Sequence, residues 1–137
     1  MKHLILTVAL LITSIFSFAQ ETQTITVTID NVTSDKGKVG IALHSKDTFM
    51  KAKPIAEMES SIKDGKVTVT FKNVAPGEYA ILALHDANEN GRMDFKENGM
   101  PLESFGASNN VMNFGPPQYE DAKFMVTNKD ISLNIRF

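Results

Sequence analysis

The chain has 137 residues, of which 42% are apolar, and a formal net charge of -2 at pH 7. This length and apolar content predict one domain with its own core, and the nearly balanced charge disfavours nucleic acid as a partner. The sequence has no cysteine, which excludes disulfide bonds, thiolate metal sites and a cysteine nucleophile. Long loops must therefore be stabilised in another way, for example by a bound metal ion.

The first 19 residues have the features of a secretory signal peptide. Lys2 precedes a largely apolar run over residues 4–18, and Ser17 and Ala19 are the small residues that signal peptidase prefers. The run is too short for a membrane span. We therefore expect cleavage after Ala19 and a secreted or periplasmic domain of residues 20–137, monomeric and without membrane insertion.

Several short segments alternate between apolar and polar residues, which is the pattern of half-buried strands. These segments are residues 24–29, 39–44, 67–71 and 131–135, and the apolar residues 124–126 predict a further strand. Residues 79–84 are apolar on both faces and predict a central strand. Residues 45–61 have no clear pattern and stay unassigned.

Turn residues separate the predicted strands. Residues 35–38 and 127–130 predict hairpins between the strands on either side of them, and Asp64-Gly65 predicts a further tight turn. Short strands with frequent turns and no helical periodicity favour an all-β fold. We expect a two-sheet β-sandwich of the immunoglobulin or transthyretin type, with about seven strands.

The alternation stops in a long loop at residues 85–121, which is too long for a simple connection in a compact domain. Residues 86–97 match the calcium-loop template of acid or amide at positions one, three and five, glycine at six and glutamate at twelve. The template predicts calcium ligands at the side chains of Asp86, Asn88, Asn90, Asp94 and Glu97 and at the backbone carbonyl of Arg92. Because a strand precedes the loop, we expect a calcium site on a β scaffold rather than an EF-hand.

The same residues have a second interpretation without metal. Asn90-Gly91 is a favoured type I′ hairpin turn, and Asp and Asn collect in turns through hydrogen bonds to the backbone. Two amides among the first three ligands limit the negative charge of the loop. This composition suits weak calcium affinity where calcium is plentiful, as outside the cytoplasm.

The loop also belongs to a longer motif. Its residues are His85, Asp86, Asn88, Asn90, Gly91, Asp94, Gly99, Pro101, Glu103, Phe105, Gly106, Ser108, Asn109 and Asn110, with Gly77-Glu78-Tyr79-Ala80 ahead of them. In this motif the chain resembles a family of exported bacterial proteins classed as a domain of unknown function, over most of residues 20–137. The resemblance implies no established activity.

The resemblance bears on the last calcium ligand. In the family pattern the regular acid stands at Glu103 and not at position 97, which implies that Glu103 closes the site in place of Glu97. The template and the resemblance therefore leave the choice between Glu97 and Glu103 open. Glu89 stands where the family often has glycine.

The second half of the loop contains Phe105, Phe114 and Tyr119 among Gly, Asn and Pro residues. These aromatic residues either form a platform for a sugar or peptide ligand or cap the end of the sandwich. The sequence has no tryptophan, the residue best suited to stacking on sugars, and the capping role is the more frequent one.

Two other groups of residues have the composition of active sites. His44 and His85 each close a strand pattern, and together with Glu103 they have the donor types of a zinc site. Ser108, His85 and Asp86 have the residue types of a hydrolase triad. Adjacent residues on a strand point to opposite faces, however, and Ser108 lacks the glycine-flanked nucleophile motif.

Two functions therefore remain open. The first is an exported, non-enzymatic β-sandwich with a calcium-binding loop, in which residues 105–110 present a binding surface to an unknown ligand or envelope component. The second is a metal-dependent or hydrolytic enzyme that uses His85, Asp86 and Glu103. The sequence favours the first and identifies neither a ligand nor a substrate.

Overall fold

The computed structural model describes residues 19–137. The predicted signal peptide, apart from Ala19, lies outside the described residues. The strands are β1 (Gln23–Ile29), β2 (Lys38–His44), β3 (Ala56–Ser61), β4 (Val67–Val74), β5 (Gly77–Asp86), β6 (Phe105–Ala107), β7 (Phe124–Val126) and β8 (Ile131–Asn134). A 3₁₀ turn at Ser108–Asn110 and a short helix α1 (Tyr119–Ala122) follow β6.

The strands form two sheets. One has the order β4-β1-β8, and the other has the order β3-β2-β5-β6, with β7 paired to the beginning of β5. All pairs are antiparallel except β1 and β8, which are parallel. The expected all-β, two-sheet sandwich is confirmed, with eight strands in the described chain, and β5 is central as predicted.

Both predicted hairpins are wrong. β1 and β2 lie in different sheets, while β7 pairs with β5 and β8 pairs with β1. The physical reason is that strands of both sheets bury alternate residues in one shared core, so alternation does not specify the sheet to which a strand belongs. The residues between β1 and β2 carry the chain from one sheet to the other.

The turn at Asp64-Gly65 is confirmed. Both residues have positive φ, 53° and 71°, and Lys63 and Lys66 exchange two backbone hydrogen bonds of 3.1 and 3.0 Å across them. This is the geometry of a type I′ turn. The turn leads out of β3, which lies in the unassigned stretch.

The main core lies between the two sheets. Ile25, Val27 and Ile29 of β1 are fully buried against the inward residues of the other sheet, among them Ile41 and Ile81. Burial of each such side chain contributes about 1.5–3 kcal/mol to the free energy of folding. The apolar residues of the alternating segments are therefore the residues that form the core.

The outer face of the five-stranded sheet is also apolar, and it positions the candidate site. At one end, Phe49 and Ala122 of the connecting segments pack on Ala80 of β5. The remaining outer face, with Ala42 and Leu84, is lined by residues of the long loop. Neither helical segment within residues 19–137 has the length and apolarity needed to cross a membrane.

Candidate metal loop and adjoining groove

The loop that follows β5 is closed at its base. β5 ends at Asp86, and β6 returns beside it, with Leu84 paired to Phe105. The His85 N–H donates a hydrogen bond of 2.9 Å to the Ser104 carbonyl. Residues far apart in the loop, at its beginning and its end, therefore lie side by side at the edge of the sheet.

A small hairpin projects from this loop at residues 94–102. The Leu102 N–H donates to the Asp94 carbonyl and the Lys96 N–H donates to the Met100 carbonyl, each at 2.8 Å. Glu97 lies in the exposed turn at the tip of this hairpin, roughly 10 Å along the chain from Asp94. The structure therefore places Glu97 away from the other predicted ligands.

Asp86 organises the first part of the loop. One carboxylate oxygen accepts a hydrogen bond from the Asn90 N–H (3.1 Å) and the other accepts one from the Gly91 N–H (2.7 Å). The side chain is buried although it is charged. Gly91 has φ +77°, a conformation that glycine adopts without steric cost, and the chain turns there around the Asp86 carboxylate.

Asp94 and Glu103 complete the network. The side-chain amides of Asn88 and Asn90 donate to the Asp94 carboxylate at 2.7 to 2.9 Å. The two Glu103 carboxylate oxygens accept from the Ala87 N–H and the Asp94 N–H, both at 3.2 Å. The loop thus joins three carboxylates, of Asp86, Asp94 and Glu103, and Glu103 rather than Glu97 takes part in this network.

These three carboxylates have no basic partner among the described residues. Within residues 19–137 the ion pairs involve Lys38, Lys46 and Lys123, and none reaches Asp86, Asp94 or Glu103. No group of three or more His, Asp or Glu side chains in this part of the chain is arranged to hold a metal ion as it stands. The asparagine amides occupy the intervening positions, so a cation would displace their hydrogen bonds to Asp94.

Arg92 lies between the predicted side-chain ligands, and its backbone N–H donates to the Asn90 side-chain oxygen at 3.1 Å. Of the metal-free interpretation, the hydrogen bonds from backbone N–H groups to Asp and Asn side chains are present, but the type I′ turn at Asn90-Gly91 is wrong. Such a turn needs positive φ at both Asn90 and Gly91, whereas the residues with positive φ are Glu89 and Gly91, at 58° and 77°. The positive φ of Glu89 also accounts for the glycine that the family pattern often has at this position.

The strand register contradicts the alternative zinc site of His44, His85 and Glu103. In the register of β2 and β5, Val39 pairs with His85 and His44 pairs with Ala80, which separates the two histidines by roughly 16 Å along the strands. His85 Nε2 lies 2.8 Å from the Lys36 carbonyl, and its ring stacks on Phe137. Because a carbonyl only accepts hydrogen bonds, Nε2 carries the proton and donates it.

The structure also contradicts the alternative hydrolase triad of Ser108, His85 and Asp86. The buried Ser108 hydroxyl accepts a hydrogen bond from the Ile81 N–H at 2.9 Å and donates one to the Ala122 carbonyl. Ile81 lies four positions before His85 on β5, and His85 and Asp86 point to opposite faces of that strand. Ser108 therefore fixes the backbone and has no contact with the other two residues of the triad.

Comparison with known proteins now identifies the family. The model of a family described as "Uncharacterized protein conserved in bacteria (DUF2141)" matches residues 27–134. The chain belongs to this family.

No curated protein matches the chain. Among solved structures, the pilus-presented adhesin Spy0125 (Cpa) aligns with 87% of the chain at 14% sequence identity and a TM-score of 0.29, and the chain spans only 27% of that adhesin.

The sequence did not predict a groove that this DUF2141 chain forms beside the metal loop. The groove has a volume of about 820 Å³ and lies on the outer face of the five-stranded sheet. Its floor consists of Gly40, Ala42, Leu82 and Leu84. The small residues on β2 give the floor its depth. The apolar character of both faces of β5 was the signal in the sequence that this outer face is covered.

The long loop forms one wall of the groove. Gly91 and Met93, from the middle of the metal loop, and Phe95 and Met100, from its hairpin, line the groove. Further along the chain, Phe114 lines it as well. Metal loop and groove therefore share one segment of backbone.

The aromatic residues of the loop lie in two different places. Phe105 and Phe114 line the groove, whereas the ring of Tyr119 packs edge-on against Phe49, with centroids 5.7 Å apart. The amide of Asn109 donates to the Asp121 and Lys123 carbonyls, both at 2.9 Å.

The segment at residues 105–110 is therefore mostly structural. The amide of Asn110 also bonds to backbone, donating to the Asn134 carbonyl at 2.8 Å, and Ser108 is buried. Of this segment, the Phe105 side chain is the part that faces the groove.

Proposed function

We propose that the protein is an exported, non-enzymatic binding module in which residues 86–103 bind calcium and thereby stabilise one wall of the groove. One observation carries this proposal. Asp86, Asp94 and Glu103 share one hydrogen-bonded loop, and no lysine or arginine in the described chain pairs with them.

Calcium suits the donor types of this loop. The ion prefers six to eight oxygen ligands in a flexible arrangement. The three carboxylates supply the negative charge, and the Arg92 carbonyl and the amides of Asn88 and Asn90 supply neutral oxygens. Rotation of each amide about its last side-chain torsion exchanges the nitrogen for the oxygen, so the hydrogen bonds to Asp94 give way to ligation.

The proposed ion also explains how the wall of the groove is held in place. Gly91 and Met93 line the groove and lie between the proposed ligands Asn90, Arg92 and Asp94. A cation at these ligands fixes the backbone of both lining residues. An exported protein meets calcium at high concentration, so the weak affinity expected of a loop with two amide ligands is sufficient.

The test is thermal unfolding of the purified protein with excess chelator and then with calcium, magnesium or zinc. Preferential binding to the folded state stabilises it by about 2.7 kcal/mol when calcium is at 100 times its dissociation constant. We expect a rise in melting temperature that is selective for calcium. A melting curve that does not change in millimolar calcium would refute the proposal.

Two variants of nearly equal size identify the last ligand. Glu103→Gln removes a carboxylate from the network and should abolish most of the calcium-dependent rise. Glu97→Gln makes the same chemical change at the tip of the hairpin and should leave the rise intact. The opposite result would assign the last ligand to Glu97 and contradict the geometry proposed for the site.

A further inference from the structure

The groove has the size and lining of a small-molecule site. Its volume of about 820 Å³ lies in the range of 300–1,000 Å³ that is typical of ligand pockets. Large apolar side chains line it while staying unusually exposed, and Met50, Phe95, Met100 and Phe114 are all more than half exposed. Such a concentration of exposed apolar side chains marks a surface that takes a partner.

The ionic groups of the groove are mainly acidic. Three carboxylates, of Glu57, Glu59 and Asp86, line it together with one lysine, Lys38. Lys38 lies 3.6 Å from Glu59 and 3.6 Å from Glu89, and the Asp86 carboxylate accepts hydrogen bonds from its own loop. Glu57 is the lining carboxylate that neither a basic side chain nor a backbone N–H of the described residues contacts.

Glu57 is placed to meet a ligand. Its Oε1 lies 4.0 Å from the point at which a Cβ on Gly40 would stand, so the carboxylate lies beside the floor of the groove. His44, at the end of β2, also lines the groove, and burial lowers its pKa below the ordinary value and so favours the neutral imidazole. Within residues 19–137 no lysine or arginine forms an ion pair with Glu57, so its carboxylate is available to a cation in the groove.

The opposite wall favours the apolar body of such a cation. Phe95, Phe105 and Phe114 line this side, and aromatic rings offer large apolar surfaces for contact. Methionine side chains adapt to irregular apolar shapes, and Met50 and Met100 are available for such contacts.

We propose that the groove binds a small amphipathic cation, with its positively charged nitrogen at Glu57 and its apolar body between Leu82, Leu84 and the loop. This inference rests on the proposed function, because the loop that calcium stabilises is the wall against which the ligand packs. An anionic ligand with the same body meets a net negative groove and is disfavoured.

The experiment compares three probes with the same apolar chain, decylammonium, decanol and decanoate, by titration calorimetry below their aggregation concentrations. We expect decylammonium to bind about tenfold more tightly than decanoate in low salt, with decanol between them. Added salt should reduce the difference because it screens an exposed charge pair. Equal affinities for the cation and the anion would overturn the choice of a cationic ligand.

Two variants test whether the charge of Glu57 itself, rather than the net charge of the protein, attracts the cation. Glu57→Gln should weaken decylammonium binding by about threefold, the effect of one exposed ion pair, and leave decanol binding unchanged. Glu21→Gln makes the same charge change at an exposed position ahead of β1 and should change neither. Loss of decylammonium affinity in both variants to the same degree would show only an effect of net charge and overturn the role of Glu57.

Two further variants test the place of binding. Ala42→Phe fills the floor and should abolish binding of all three probes. Phe114→Ala changes a fully exposed side chain, so it preserves folding, and should weaken all three probes. Undiminished binding in both variants would place the probe elsewhere and overturn the groove as its site.

The outcomes of these experiments distinguish a failure of the ligand inference from a failure of the calcium proposal. A calcium-selective rise in melting temperature without binding of any probe would overturn the ligand inference alone. Probe binding that is the same in calcium and in chelator, without a calcium effect on unfolding, would overturn the calcium module and leave the cation groove standing.

Discussion

His44 shows how one buried side chain on the outer sheet face responds to its surroundings. Its Nδ1 lies 3.1 Å from the Thr48 hydroxyl, and its ring packs edge-on against Phe49. Burial lowers the pKa of His44 below its ordinary value of 6.5, while the bond to Thr48 and the Glu57 carboxylate act in the opposite direction. Burial prevails, so folding favours the neutral imidazole.

This shift predicts a loss of stability in mild acid. The unfolded chain takes up a proton near pH 6.5, whereas the folded chain resists it, so the contribution of His44 is complete above this pH and is lost as pH falls through the lowered pKa. Urea unfolding over a series of pH values measures the loss. His44→Gln should flatten this part of the profile, and a variant profile parallel to that of the parent would contradict the assignment.

Glu89 occupies a backbone conformation that costs energy for any residue with a Cβ. At φ +58°, glycine should be more stable than alanine by about 1 kcal/mol, the reverse of their usual order in regular structure. Glu89→Gly and Glu89→Ala both remove the ion pair to Lys38, so the difference between their unfolding free energies isolates the backbone. Equal or greater stability of the alanine variant would show that residue 89 is not left-handed.

At the scale of elements, the connection between β1 and β2 packs closely on the end of β5. A Cβ on Gly37 would lie 2.1 Å from the Asp86 carbonyl oxygen and 2.6 Å from the Ala87 Cα. Both of these are backbone atoms, so the clash is relieved only by moving the connection or the base of the metal loop.

Gly37→Ala should therefore destabilise the protein by roughly 2–4 kcal/mol, from overpacking and a positive φ together. Gly99→Ala is the matched control, because Gly99 has a similar φ of +80° and no atom of the described chain lies within 4 Å of the point at which its Cβ would stand; it should cost only about 1 kcal/mol. Denaturant unfolding compares the two. Equal losses in both variants would refute the close contact at Gly37.

At the scale of the whole molecule, the strands were predictable and their partners were not. The alternation at β1 and β4 identified the buried residues because side chains follow a period of two. The same alternation is compatible with either sheet, so the turn residues between β1 and β2 suggested a hairpin where the chain crosses the sandwich. The parallel pairing of β1 with β8 leaves no local signal in either strand.

The candidate site was predictable to the extent that it is local. Asp86, Asn90 and Asp94 followed from the spacing of a loop template, since their network spans a few residues. Glu103 came from a resemblance, because only the return of β6 beside β5 brings it to the loop. The groove needs residues from several strands at once, and no segment of the sequence contains its pattern.

The pairing of the first strand with the last predicts that the C-terminus is essential for the fold. Ile135 is completely buried, and Ile131 and Leu133 pack against the core. Deletion of residues 131–137 should abolish the cooperative thermal transition seen by circular dichroism, because it removes these contacts and exposes an edge of β1. Deletion of residues 20–22, which are exposed ahead of β1, should leave the transition in place, and a cooperative transition in the C-terminal deletion would contradict the parallel pairing.

The same pairing sets the order of events during folding. The Thr24 N–H bonds to the Asp130 carboxylate, and the Asn31 side chain bonds to Phe137, each across a separation of 106 residues. Contacts of such high contact order form late and slow the folding of a domain. Because β1 pairs with β8, the three-stranded sheet is complete only when the two ends of the described chain have met.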